Sequence, residues 1–314
     1  MIKDIVLLFI WNFLRGIIYL FPSKLVSLLC DFSGTIFSYV YRSGYNAVQT
    51  EIKSLIKGKT KKEYRRIAIA SFKLMMRNEE ERLFFDKRER IMSIVEFQGL
   101  ENLDAALRRG KGAILVLWHF GNYLLVIPAL GYRGYPVFQI SEKGSSKGGV
   151  ERSGVIQRLL FNTRRKISDK MPAVILDNVG KEIYNVLHEN KVLLCAVDGR
   201  LGSNMKSYNF QGREMLLSNG IFRIAIATGA LLLPLYIIRK DGDKHKLIIG
   251  EPLKFSSPDE GVERSLYVFK DYFLAYPHHY ATNLMFENLR SRKSSNNPLF
   301  TDYHSGKFLL RDEV

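Results

Sequence analysis

The 314-residue chain is short of cysteine, of acidic side chains relative to basic ones, and of long apolar runs, and each shortage excludes something. Its two cysteines, Cys30 and Cys195, stand far apart in apolar stretches. A disulfide scaffold is therefore excluded and no metal-binding spacing exists. Both read as buried thiols of a reducing compartment. No uncharged run approaches the roughly 20 apolar residues that a membrane-spanning helix needs. Residues 5–14 stop at Arg15, the next run stops at Lys24, and a third, Phe32 to Tyr41, begins only after Asp31. A cleavable signal peptide is not expected, because no small-residue cleavage site follows the first run and apolar character resumes beyond Pro22. No internal period marks a repeat architecture. With 46% hydrophobic and 25% charged residues, collagen and low-complexity disorder are excluded and a sizeable core is expected. Acidic residues number 31 against 47 lysines and arginines, a net charge of +16. Such an excess calls for an anionic partner: nucleic acid, an acidic membrane surface or an acidic small molecule.

What is present divides the chain. Residues 1–42 read as two apolar helices joined near Pro22–Ser23, packed either against the domain or against a bilayer. Trp11, Phe13, Tyr19 and Phe21 are aromatics of the kind that settle at headgroup depth, and the basic excess points the same way, so a membrane-associated hairpin is expected. The Lys- and Arg-rich stretch from Lys57 to Arg66 reads as a solvated helix start, and Phe72 to Phe85 as an amphipathic helix. From residue 93 the pattern becomes α/β. Strands are expected over Ser93–Gln98, Gly112–Trp118, Tyr135–Ile140 and Val192–Val197, with a hairpin of Leu231–Arg239 and Lys246–Ile249. Gly112–Trp118 and Val192–Val197 are continuously apolar, the mark of strands buried on both faces. Helices are expected over Asn102–Arg109, over Met171–Asn190, and from a Ser218 cap to about Thr228. The fold class is α/β: a central, mostly parallel sheet flanked by helices in a domain spanning 43–290, with a loosely ordered Ser- and Asn-rich tail, 291–314.

One constellation carries chemistry. His119 follows the buried strand directly, at the carboxyl end where open α/β sheets place ligands. Gly121 and Asn122 make a turn, and Asn122 is placed to cap the helix beginning at Tyr123. A neutral histidine there can take a proton from a hydroxyl or amine attacking a carbonyl; a core histidine bonded to backbone is the plainer alternative. Arg200 and Arg213 flank a Gly- and Ser-rich loop, which suits a phosphate clamp or ordinary surface charge. His278 and His279 are adjacent and cannot form one simple ligand pair, so no metal site is expected. His188 and His245 read as solvated.

The segment WHFGNY with its preceding apolar strand resembles the His-x4-Asp/Glu block of the bacterial lipid A late acyltransferases and the phosphatidylinositol mannoside acyltransferases. His119, Phe120, Gly121 and Asn122 match the usual His-Phe-Gly-Asn-Trp-Glu, and Tyr123 stands in for Trp. Arg164 and Arg165 lie where the family's basic, anion-binding residues lie. Asp198 and Arg200 fall in its Asp block, NFQGRE (with Phe210, Gly212 and Arg213) resembles its Phe-x-Gly motif, and IAIATGALLLPLYIIR resembles its helix-to-strand segment. The resemblance spans about residues 95–285.

The resemblance implies transfer of a fatty acyl group from an acyl carrier protein or coenzyme A thioester to a hydroxyl, less readily an amine, of a lipid or glycolipid. It places the protein at the cytoplasmic face of the bacterial inner membrane. His119 would be the general base, Gly121 and Asn122 would shape the substrate turn, and Arg164, Arg165, Arg200 and Arg213 would hold anionic groups. No cofactor is implied beyond the thioester co-substrate. Two departures stand out. The motif's acid falls on Leu124, so that either another acid, Asp198 first, supports His119 or His119 acts alone at a reduced rate, and PHHYATNL at 277–284 lacks the family's Trp residues. A catalytically silent homologue that binds lipid or acyl carrier protein is the second reading. Nucleic-acid binding rests on charge alone, with no recognition motif to support it.

Overall fold

The structure is a computed structural model. It describes residues 20–140, 173–176, 180–199, 205–240, 242–291 and 299–301, together with Phe13 and Gly16. In chain order the helices and strands are α1 (Ser23–Val40), α2 (Arg42–Leu55), α3 (Lys61–Glu81), α4 (Arg88–Ile94), β1 (Val95–Gln98), α5 (Leu100–Leu107), β2 (Ala113–Leu117), α6 (Val126–Tyr132), β3 (Val137–Ile140), β4 (Ala173–Leu176), α7 (Lys181–His188), β5 (Val192–Ala196), β6 (Met205–Phe210), β7 (Arg213–Ser218), α8 (Gly220–Thr228), β8 (Leu231–Arg239), β9 (His245–Ile249), α9 (Pro258–Ala275) and α10 (Pro277–Ser291). Local chemistry explains several boundaries. Thr60 and Glu63 form a reciprocal capping box that starts α3. Ser257 caps α9, with Pro258 in the first turn, where its missing N–H costs nothing.

The sheet has seven strands in the order β1-β9-β8-β2-β5-β3-β4, and β6-β7 is a separate antiparallel hairpin. All neighbours in the large sheet run parallel except β8 and β9. β2 is buried at every position because apolar layers cover both faces. Ile114, Val116 and Trp118 point into one layer, shared with α2, α3, α9 and α10; Ala113, Leu115 and Leu117 point into the other, shared with α4, α5 and α6. This period of two is the geometry of a pleated strand.

Three expectations are corrected. The helix expected over 171–190 is instead a strand followed by a helix. Ala173–Leu176 pairs in parallel with β3, and only Lys181–His188 is helical. Pairing with β3 makes AVIL the edge strand of the sheet, and the helical stripe belongs to Ile183, Val186 and Leu187 alone. The cap position of α8 is Asn219 rather than Ser218, although the Ser218 hydroxyl accepts from the first N–H of the helix, that of Gly220, at 3.2 Å. The tail beyond 290 is not all loose: Leu299 and Phe300 are fully buried, Leu216 N donates to Leu299 O at 2.7 Å, and Phe300 bridges Met215.

Of the expected N-terminal hairpin, the second helix is α1 and Pro22 stands at its start; most of the first lies outside the described residues. α1 packs closely on α3 at Gly34, where a Cβ would come within 2.6 Å of the Lys73 Cα. The bidentate pair of Arg77 with Asp31, at 2.6 and 2.8 Å, holds the same two helices together. The opposite face of α1 carries Leu25, Leu28, Leu29, Phe32, Ile36 and Val40, all exposed; Phe32 is 66% and Val40 74% accessible. No helix among the described residues is long and apolar enough to cross a membrane.

The fold also decides the role of Arg213. Alternation along β7 turns Arg213, Met215 and Leu217 inward. The guanidinium is buried, donates to Glu51 at 2.5 Å and to Ser54 Oγ at 2.9 Å, and lies 3.8 Å from the centre of the Phe300 ring. Asn288 donates to the other Glu51 oxygen at 2.5 Å. Arg213 therefore joins α2, β7, α10 and the tail, and is corrected from phosphate clamp to structural tie. Arg213→Ala leaves the Glu51 carboxylate buried without its cation, so denaturant unfolding should show a loss of roughly 3–5 kcal/mol. Unchanged stability would return Arg213 to the list of ligand-binding residues.

Candidate functional site

Strand register brings His119 and Asp198 together. β2 and β5 are adjacent and parallel, with Leu117 opposite Ala196. His119 and Asp198 each come two residues later, at the carboxyl ends of these strands, and Val197 N still donates to Leu117 O at 2.8 Å. His119 Nδ1 lies 2.9 Å from Asp198 Oδ1, and the His119 backbone N–H donates to both carboxylate oxygens at 3.2 and 3.3 Å. The Asp198 side chain is fully buried whereas that of His119 is 29% exposed. An ionised carboxylate only accepts, so with Asp198 ionised Nδ1 carries the proton and Nε2 keeps the lone pair.

Two further donors reach Asp198 from α10: Tyr280 OH at 2.9 Å and Asn283 Nδ2 at 3.0 Å, both to Oδ2. Neither stands out in the sequence, because only the fold reveals that α10 crosses the strand ends. Tyr123 meets the His119 ring edge-on at 4.7 Å. Burial and the nearby Asp198 charge raise the Tyr123 phenol above its ordinary value, which keeps it neutral. Leu124, at the position of the motif's acid, packs against the apolar layer on the α4–α6 side.

The turn that presents His119 is held from below. Gly121 has φ +63°, and a Cβ there would lie 2.2 Å from Ile237 O, so only glycine fits. Its N–H donates to His279 O at 2.9 Å, and its carbonyl accepts from Asn78 Nδ2 at 3.2 Å. Asn122 does not cap the short 3-10 helix that follows; its amide donates instead to Glu81 Oε2 at 2.5 Å. Glu81 also meets Arg239 at 2.7 Å and His245 Nε2 at 2.9 Å. Arg239 and His245 are paired residues of the β8–β9 hairpin and so share a face. His245 is accordingly fully buried, a correction to its expected solvation: it pairs with Arg239 in the last rung before the hairpin loop, on the face that meets Glu81 of α3. Burial alone would raise the Glu81 carboxyl. The His245 and Arg239 charges and the bonds from His245 and Asn122 outweigh it and hold the group down at about 2.

Of the remaining sequence-derived residues, Arg164, Arg165 and Arg200 lie outside the described residues. His188 is exposed, as expected. His279 is buried beside Gly121, and burial pushes its imidazole well below the usual histidine value. No group of residues suited to a metal ion occurs among the described residues.

A histidine backed by a buried carboxylate, at the carboxyl ends of adjacent parallel strands, is the arrangement of an α/β protein equipped for proton transfer at a bound ligand. The family model for bacterial lipid A biosynthesis acyltransferases matches residues 2–266, and the chain belongs to that family. No curated protein matches the chain.

The Glu81 cluster has a pH signature. A carboxyl held below its unfolded value contributes stability that is full above about 4.5 and is lost as pH falls through about 2. In Glu81→Gln that component of the acid limb should vanish, with a loss of roughly 3–5 kcal/mol at neutral pH as Arg239 loses its counter-ion and His245 its hydrogen-bond partner. Chemical denaturation across the acid range measures both; an unaltered acid limb would contradict the assignment.

Proposed function

We propose that the protein transfers a fatty acyl group from a thioester, on acyl carrier protein or coenzyme A, to a hydroxyl or an amine of a lipid or glycolipid. The reaction belongs at the cytoplasmic face of the bacterial inner membrane. The observation that carries the reading is the 2.9 Å contact of His119 Nδ1 with the buried Asp198 in a member of an acyltransferase family. His119 Nε2 takes the proton of the acceptor hydroxyl as its oxygen attacks the thioester carbonyl. The tetrahedral adduct collapses with loss of the thiolate, and the imidazolium returns the proton to sulfur. The products are an ester and a free thiol, and no covalent acyl-enzyme forms. Asp198 stabilises the imidazolium, the task that the acid at position 124 has in the family pattern. Arg164, Arg165 and Arg200 hold phosphate of the acceptor or carrier.

Membrane attachment is part of the same reading. An exposed apolar stripe on one helix, running through Leu25, Leu28, Leu29, Phe32, Ile36 and Val40, suits insertion at the acyl–headgroup boundary. Arg65, bonded to Tyr39 OH at 2.7 Å beside that stripe, and the +16 net charge suit anionic lipid and an acidic carrier protein.

Thiol release from acyl-coenzyme A and acyl carrier protein thioesters, with lipid A precursors as acceptors, tests the chemistry. His119→Ala should abolish transfer with the fold intact. Leu124→Glu should bring no gain, because Asp198 already holds Nδ1 and the new carboxylate enters an apolar layer at a cost of roughly 1–3 kcal/mol. A faster Leu124→Glu enzyme would show that His119 still lacks its partner. Wild-type and variant proteins that are equally inert would favour the alternative, a silent homologue that binds lipid or carrier protein; Leu124 is the observation behind that alternative.

Attachment is tested with vesicles containing phosphatidylglycerol. Leu28→Glu with Phe32→Glu, both at exposed positions, should lower partitioning at least tenfold without changing the melting temperature. Unchanged partitioning would place the attachment elsewhere.

A further inference from the structure

Tyr280 and Asn283 lie on one face of α10, three residues apart, and both donate to the same oxygen of Asp198. The Tyr280 ring is fully buried and cannot swing away. It meets Trp118 edge-on at 6.3 Å, Phe269 at 4.9 Å and Phe273 at 6.0 Å, and Trp118 itself stacks flat on Phe269 at 4.0 Å. The donors are thus fixed to the core rather than carried on a loop. Their bonds go to Oδ2 and Oδ1 faces His119 Nδ1, while the His119 backbone N–H reaches both oxygens.

We propose that Tyr280 and Asn283 are positioning residues of the acyl-transfer site: they lock the Asp198 carboxylate in the rotamer that keeps His119 in its Nδ1–H tautomer, with the lone pair on Nε2. The proposal rests on the acyltransferase reading above. In free neutral histidine the Nε2–H tautomer predominates, and that tautomer has no lone pair on the nitrogen that must act as base. A carboxylate that turns about its own bond no longer holds Nδ1–H, and the active form is lost even though His119 and Asp198 are both present. Both departures from the family pattern thereby meet at one atom group. The acid is absent at 124, and the segment 277–284, where the family's Trp residues are missing, supplies two donors to Asp198.

The test uses the full chain with isotope-labelled histidine. Nitrogen NMR at alkaline pH reads which ring nitrogen of each neutral imidazole bears the proton, and His119→Gln identifies the His119 signals. In the wild type His119 should be protonated at Nδ1. In Tyr280→Phe with Asn283→Leu it should move to a mixture or to Nε2–H, and acyl transfer should lose at least tenfold in kcat with little change in KM. The single variant Tyr280→Phe removes one oxygen from a packed ring and should show part of the same shift, so a double variant that fails to fold leaves the question answerable. A folded variant, double or single, that keeps the wild-type tautomer overturns the proposal. Wild-type His119 protonated at Nε2 overturns it together with the base-and-carboxylate reading; wild-type Nδ1–H combined with an unchanged variant overturns this proposal alone.

Discussion

The carboxylate of Asp198 is buried, and a buried charge is tolerated only when its oxygens are filled with donors. That requirement organises the centre of the molecule. The donors arrive from the chain after β2 (the His119 ring and backbone) and from α10 (Tyr280 and Asn283), while β5 delivers the acid itself. Strand register sets the first meeting, since Leu117 opposite Ala196 brings the next residues but one to the same height. Helix packing sets the second, through the aromatic layer of Trp118, Phe269, Phe273 and Tyr280. His119 is 29% exposed, whereas the Asp198 side chain and Tyr280 are fully buried.

Below it lies a second buried charge with a different task. Glu81 gathers Asn122, Arg239 and His245 and so ties the His119 turn to α3 and to the β8–β9 hairpin. One carboxylate orients the imidazole and the other fixes the loop that carries it. On the proposed reading neither task needs an acid at 124, where Leu124 packs against the apolar layer.

The strands were the most legible part of the chain. GAILVLW and VLLCAV announce central strands because both faces are buried and every residue is apolar, and β2 and β5 stand where those runs lie. The position of His119 at a strand end followed from the same run. The resemblance added Asp198, and the structure places it on His119. What was not legible depends on long-range pairing. AVIL at 173–176 carries no mark that distinguishes an edge strand from the start of a helix, and only β3 decides the matter. His245, Glu81 and Arg213 look like surface residues in sequence because alternation and packing, rather than composition, turn them inward. Tyr280 and Asn283 follow Asp198 by 82 and 85 positions, and no local pattern spans such an interval.

The central claim is that Asp198, in place of an acid at 124, makes His119 a working base. Mass spectrometry of lipids from cells that lack the gene, complemented with wild type or with Asp198→Asn, tests it most directly. Asparagine keeps the shape of the side chain and removes its charge, and in hydrolase triads the corresponding change lowers the rate roughly 10⁴-fold. The account predicts an acylated lipid species that wild type restores and Asp198→Asn, expressed to the same level and folded, does not. The same species restored in full by Asp198→Asn would contradict it.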